Sequence, residues 1–215
     1  MDEEFVRHRT TEVSLRDGTR VRIRPIIPDD KTHLVEGFNR LSPESRYRRF
    51  LSPIAELTPD MLRELTEVDY VAHFAYIAFA IEGSGEEGAG VARYVRAPDE
   101  PEVAEAAVTV VDEYQGRGLG TFLLQALGAV ALENGIRRFR GYALETNRPI
   151  RELLEALGAD LHHDSPGIIR MEIDLPAQAG ALRDSPLYGI LRAVGRGDGP
   201  VFVPTGSLPP NPPAT

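Results

Sequence analysis

Residues 112–124 read DEYQGRGLGTFLL. A valine-rich run, VAEAAVTVV at 103–111, ends immediately before it. The apolar positions 119, 122, 123, 126, 127 and 130 then form one stripe at helical spacing. The local order is therefore strand, glycine loop, helix. One glycine would make that turn, yet Gly116, Gly118 and Gly120 occupy three alternate positions. Glycines at a helix start cost about 1 kcal/mol each in helix stability. What they offer is bare backbone that a ligand can approach closely. The first N–H groups of a helix lack intrahelical partners. The helix dipole adds about half a positive charge there, and Arg117 adds a whole one. The stretch suits a pyrophosphate; a ligand-free turn softened by glycine is the plainer alternative.

A second glycine-rich segment sharpens the point. Residues 83–88, GSGEEG, match G-x-G-x-x-G to the letter. A strand follows them rather than a helix, and Glu86 and Glu87 would repel a phosphate. They are expected to be a hairpin turn. No Gly-Lys-Ser/Thr follows either loop, which argues against a P-loop. The spacing of Gly116, Gly118 and Gly120, together with the meander before them, argues against a dinucleotide-binding fold.

Outward from the loop, the chain begins with a hairpin signal: residues 12–15, then Arg16-Asp17-Gly18, then alternation through VRIRPI. Three helix starts follow. They are Pro28-Asp29-Asp30, Ser42-Pro43-Glu44 and Thr58-Pro59-Asp60, each with apolar residues at helical spacing behind it. Residues 74–81, FAYIAFAI, read as a buried strand, and 90–97 and 103–111 complete a three-stranded meander. After the helix that starts near Leu119, Asn134-Gly135 ends it. Residues 139–144 form a strand, 147–157 a helix and 168–175 a last strand. The order predicts an α/β (α+β) fold: a mixed, mostly antiparallel twisted sheet flanked by helices. The expected units are an N-terminal arm and hairpin (1–20), a main domain (21–175) and a proline-rich extension (176–215) whose end has the composition of disorder.

Composition bounds the function. The chain has 215 residues, a net charge of −9 and no cysteine. Thiolate metal sites, disulfides and a cysteine nucleophile are thereby excluded. The acidic balance argues against nucleic acid as a partner. No run reaches the roughly 18 apolar residues of a membrane span, and the charged start, MDEEFVRHRT, lacks a signal peptide's apolar centre. A cytoplasmic location away from membranes is expected. His162-His163-Asp164 invites a metal reading, but no third ligand stands at sensible spacing; a surface loop without metal is expected.

Gln-x-x-Gly-x-Gly at 115–120 resembles the acetyl-CoA signature of the GCN5-related N-acetyltransferases (GNAT). The resemblance runs from about Val21 to Leu175. Within it, LSPESRYRRF (41–50) and AEAAVTVVDEYQGRGLGTFLL (104–124) resemble bacterial protein lysine acetyltransferases of the Pat type. The resemblance implies a fold of the kind just described and acetyl-CoA as cosubstrate. It implies that backbone groups near Val110 and Val111 pair with the pantetheine arm, where the central strand splays from its neighbour. It implies that amides of Gln115, Gly116, Arg117, Gly118, Leu119, Gly120 and Thr121 hold the pyrophosphate. Asn147 matches a family position near the cofactor; it is equally well suited to cap a helix.

Acetyl transfer needs a neutral amine. A lysine with a pKa near 10.4 is neutral in only about one part in 2,500 at pH 7, a penalty of about 4.6 kcal/mol. A general base offsets that. With no cysteine, direct attack in a ternary complex is favoured over an acyl-enzyme. Glu105, among the small residues of AEAA, matches the base glutamate of the Pat-type enzymes; a carboxylate against apolar walls is a stronger base. The alternative is a solvent-facing glutamate on a sheet. Glu102 falls on the other face. Leu154 stands where many relatives carry a tyrosine that protonates the leaving thiolate, and Tyr114 and Tyr142 are possible substitutes. Arg46, Arg48 and Arg49 are read as a solvated helix face or as a patch steering an acidic acceptor. The expected acceptor is a protein lysine. A small amine, or a catalytically silent acyl-CoA-binding module, is the alternative. Oligomeric state is not readable.

Overall fold

The computed structural model describes residues 3–83, 85–146 and 160–175. Helix α1 (Glu3–His8) leads into the hairpin β1 (Thr11–Ser14) and β2 (Arg20–Pro25). Gly18 takes φ +86° at its turn, a conformation that only glycine adopts freely. Helices α2 (Lys31–Asn39), α3 (Pro43–Phe50) and α4 (Pro59–Thr66) follow. The starts of α3 and α4 are set as the sequence predicts: Ser42 Oγ accepts from Ser45 N–H at 3.1 Å, and Thr58 Oγ1 accepts from Met61 N–H at 3.3 Å, each ahead of a proline in the first turn.

The meander is β3 (His73–Glu82), β4 (Gly85–Ala97) and β5 (Glu100–Val110), followed by α5 (Leu119–Glu133) and β6 (Arg138–Leu144). Strands β7 (Asp160–Ser165) and β8 (Ile168–Asp174) close the described chain. The eight strands form one sheet in the order β1-β2-β3-β4-β5-β6-β8-β7. Every neighbouring pair is antiparallel except β5–β6. The fold is thus the mixed, mostly antiparallel sheet expected. The hairpin at the N-terminal side of Val21 belongs to the same sheet, and Leu15 lies in its core.

Three elements depart from the sequence reading. Helix α1 lies in what reads as a plain charged arm. Gly83 does turn, at φ +58°, but β4 already begins at Gly85, so residues 85–88 of the expected turn are strand. Residues 162–164, read as a loop, lie in β7, an edge strand whose side chains are nearly all exposed. Its sequence, DLHHDS, has no alternation to betray it. The tight turn at Gly167 (φ +80°) folds it back on β8. Polar residues blunt such an edge.

The main core lies between one sheet face and α5, whose Leu119, Leu123, Leu124 and Leu127 are almost wholly buried. The other face is covered by α2, α3 and α4 through two smaller clusters, one around Ile26, Ile77 and Phe79 and one around Phe38, Leu41 and Phe50. No helix among the described residues is long and apolar enough to cross a membrane.

Candidate active site

The parallel pair β5–β6 shapes the site. Its register covers only Val103↔Arg138, Ala104↔Phe139 and Glu105↔Arg140. Beyond Glu105 the two strands part, although β5 runs on to Val110 and β6 to Leu144. The sheet forks there, and among the described residues β5 stays paired only to β4. Backbone groups of a strand alternate in direction. Val111 N–H donates to Ala89 O at 2.9 Å, toward β4. Val110 therefore faces the open side, where its carbonyl accepts from Gln115 Nε2 at 3.0 Å. Ala89 is the extra residue of a β-bulge, since Ala78 pairs with Gly90 and Phe79 with Gly88. The bulge redirects its carbonyl to hold the end of β5.

The glycine loop follows at once. Asp112–Tyr114 form a single 3-10 turn. Gly116 then takes φ +72° and Gly118 φ +97°, and Gly118 is the N-cap of α5. The two positive-φ steps explain two of the three glycines. Gly120 lies buried in the first turn of α5. Gln115 N–H donates to Asp112 O, and Thr121 and Phe122 N–H donate to Gly118 O. Among the described residues, the N–H groups of Gly116, Arg117 and Gly118 donate to no backbone carbonyl. The first turn of α5 leaves those of Leu119 and Gly120 without intrahelical acceptors as well. Free amides at a helix start beside a sheet fork fit the pyrophosphate and pantetheine of coenzyme A.

Three arrangements around the loop are invisible in local sequence. Asp112 accepts from Gln115 Nε2 at 3.0 Å and from Ser42 N–H at 3.1 Å, which ties the loop to the start of α3. Arg40 pairs with Glu87 at 2.8 Å and Glu113 at 2.7 Å, and donates to Gly88 O. The tip of the β1–β2 hairpin also lies against the loop. Arg16 N–H donates to Arg117 O at 3.2 Å. A Cβ at Gly118 would stand 3.7 Å from Arg16 Nε. Arg117, read as the loop's charge, is paired with Asp17 at 2.8 Å. Arg16 is thus a second cation at the loop that sequence reasoning missed. Its distance of about a hundred positions along the chain left no signal.

Glu105 is half-buried at the apex of the fork. Its register neighbour on β6 is Arg140, whose guanidinium is held by Glu172 at 2.7 Å and Glu100 at 2.8 Å. Partial burial pushes Glu172 up, but Arg140 and Arg138 outweigh it and hold that carboxyl below its usual range. Glu102 is exposed. Tyr142 lies two residues beyond Arg140 on the β6 arm and is buried. Tyr114 OH reaches Glu87 Oε2 at 3.1 Å. Asn147, Leu154 and the helix expected over 147–157 lie outside the described residues.

The arginines of α3 do not all lie on a solvated face. Arg46 donates to the carbonyls of Leu41 and Asn39, Arg48 pairs with Glu44, and Arg49 is buried. The end of a short helix packed on the sheet has an inner side, and Arg49 falls on it. His163 Nδ1 lies 2.6 Å from Glu145. No cluster of three metal-ligating side chains occurs among the described residues.

The family model for the acetyltransferase (GNAT) domain matches residues 20–160. The chain belongs to the GNAT acetyltransferase family. It is 37% identical over 164 residues to Acetyltransferase Pat of Mycolicibacterium smegmatis, an alignment covering 76% of this chain and 48% of that protein. It therefore spans about half the length of that relative. It is 39% identical over 145 residues to Acetyltransferase PA5475 of Pseudomonas aeruginosa, covering 67% of this chain and 77% of the other. Among solved structures, the GNAT domain of S. lividans PAT superposes with a TM-score of 0.68 at 34% identity, covering 78% of this chain and 98% of that domain. GNAT acetyltransferases use acetyl-CoA as cosubstrate, which agrees with the fork and the free amides of the glycine loop.

Proposed function

We propose that this GNAT acetyltransferase transfers acetyl from acetyl-CoA to the Nζ of a protein lysine, with Glu105 as general base. The observation that carries the proposal is the position of Glu105 at the point where β5 and β6 part. A thioester held along the open edge of β5 would bring its carbonyl past that residue. The lysine nitrogen attacks the thioester carbon, the C–S bond breaks, and coenzyme A leaves as its thiolate. Glu105 accepts the proton that the amine gives up, directly or through one water. A thiol with a pKa near 8.5 leaves without strong assistance. Tyr142, on the other arm of the fork, is the side chain best placed among the described tyrosines to return a proton to it. The similarity to Pat-type proteins supports lysine as the acceptor; a small amine is the second reading.

Free thiol release with acetyl-CoA and a lysate, followed by mass spectrometry, tests both. New acetyl-lysines on a few proteins are expected; a small acetylated amine in their place would favour the second reading. Glu105→Gln is expected to lower turnover at least a hundredfold while acetyl-CoA binding stays within about twofold. Full activity of that variant from about pH 6 to 9 would remove Glu105 from the role of base.

A further inference from the structure

Two arginines on the α2–α4 face are buried without an ion pair among the described residues. Arg49, at the end of α3, is 6% exposed, and Arg93, in mid-β4, is 2% exposed. Arg93 donates through Nη2 to Leu65 O at 2.5 Å and sets Nη1 3.4 Å from His73 Nε2; its Nε has no partner. Arg49 lies over the Phe50 ring at 4.8 Å, and its Nη1 has no partner. Neither forms an ion pair with a carboxylate among the described residues, and Glu64 acts on Arg93 only through space. Burial lowers Arg49 to about 10; burial and then the Arg49 charge lower Arg93 to about 9. Both remain cationic at neutral pH. A buried charge without its partner costs several kcal/mol, so a fold that places two side by side leaves room for an anion.

That room is present. Both arginines line an open cleft with about 80 Å³ of space inside it. Its walls are otherwise largely apolar, with Leu34, Phe38, Phe50 and Ile77 among them. Ala107 and Thr109 of β5 form part of its floor. A guanidinium matches a carboxylate through paired N–H donors, and the apolar walls match an aliphatic body rather than a naked inorganic ion. We propose that this cleft binds a small organic carboxylate, its head between Arg49 and Arg93 and its carbon chain against Phe38, Phe50 and Ile77. The same carboxylate chemistry could be delivered by a free acid or by an acidic side chain of the acceptor. Glu105 lies two residues beyond Ala107 on the same strand face, about 7 Å along it, so either source would reach the cleft beside the fork. Binding itself does not depend on the assignment of Glu105.

Calorimetric titration of the full chain with sodium hexanoate tests the proposal, with 1-hexanol and inorganic phosphate as controls. Hexanoate is expected to bind at least tenfold more tightly than either control. Arg49→Met should weaken hexanoate at least tenfold and leave 1-hexanol unchanged. Arg49→Lys, which keeps the charge but not the planar fork, should fall between. Equal binding of hexanoate and 1-hexanol, no hexanoate binding at millimolar concentration, or undiminished binding to Arg49→Met would each overturn it. Should Arg49→Met fail to fold, Ala107→Met fills the floor with both charges intact, and hexanoate binding that survives it would overturn the proposal equally. Competition between hexanoate and a lysine peptide with a neighbouring glutamate would assign the head to the acceptor; its absence would assign the cleft to a free acid.

Discussion

Gly118 shows how one backbone angle serves two purposes. Its φ of +97° turns the chain into α5 and at the same time points free N–H groups outward. Alanine there would be strained by about 1–2 kcal/mol, and its methyl would meet Arg16 Nε at 3.7 Å. Gly118→Ala is expected to lower unfolding free energy by that amount and acetyl-CoA affinity at least tenfold, read by urea melts and calorimetry. His73 carries a second residue-level consequence. Burial and then Arg93 lower it to about 4, against a usual 6.5. Below about pH 6.5 the unfolded chain binds a proton that the folded chain refuses, so stability falls as pH drops toward 4. The loss between pH 7 and 4.5 should be about 2 kcal/mol. His73→Gln, which keeps an acceptor for Arg93, should flatten that slope. Gly118 was legible in sequence because its neighbours form a strand–loop–helix pattern. His73, Arg49 and Arg93 were not, because burial of a polar side chain depends on what packs over it, and α2 to α4 supply that cover from a distant segment.

At the scale of elements, the close approach of β4, β5 and α5 rests on Gly90. A Cβ there would stand 2.8 Å from Thr109 O and 3.2 Å from Leu123 Cδ1. The carbonyl belongs to the paired strand and cannot swing aside. Gly90→Val is therefore expected to destabilise by about 3 kcal/mol or more, with a matching fall in the denaturant midpoint and loss of the bulge geometry that aims Ala89 O at Val111. The capped helices α3 and α4, the meander and α5 were all readable, because proline-led starts and strict periodicities are local signals. Strand β7 was not, since an exposed edge strand needs neither alternation nor apolar residues. The hairpin's place against the glycine loop was equally silent: Arg16 and Arg117 are neighbours only through the sheet.

For the molecule as a whole, the sheet order has one seam. Five strands lie on one side of the β5–β6 pair and three on the other, and three register pairs join them. The family resemblance made the splay legible, whereas its depth, ending at Glu105, needed the strand pairing itself. Elsewhere in the sheet the ladders are antiparallel and run from four register pairs in β1–β2 to seven in β6–β8 and ten in β3–β4. A boundary so thinly stitched is where cooperativity should be weakest. The β6–β8–β7 ribbon is expected to exchange its amide hydrogens as a block, earlier than β3, β4 and β5, in mass-spectrometric hydrogen exchange. Acetyl-CoA in the fork would touch both sides of the seam. Its expected signature is slower exchange across the entire ribbon, including β7, which lies two strands from the fork. Protection confined to residues 110–121 would instead mean that the ribbon opens on its own, without disturbing the cosubstrate in the fork.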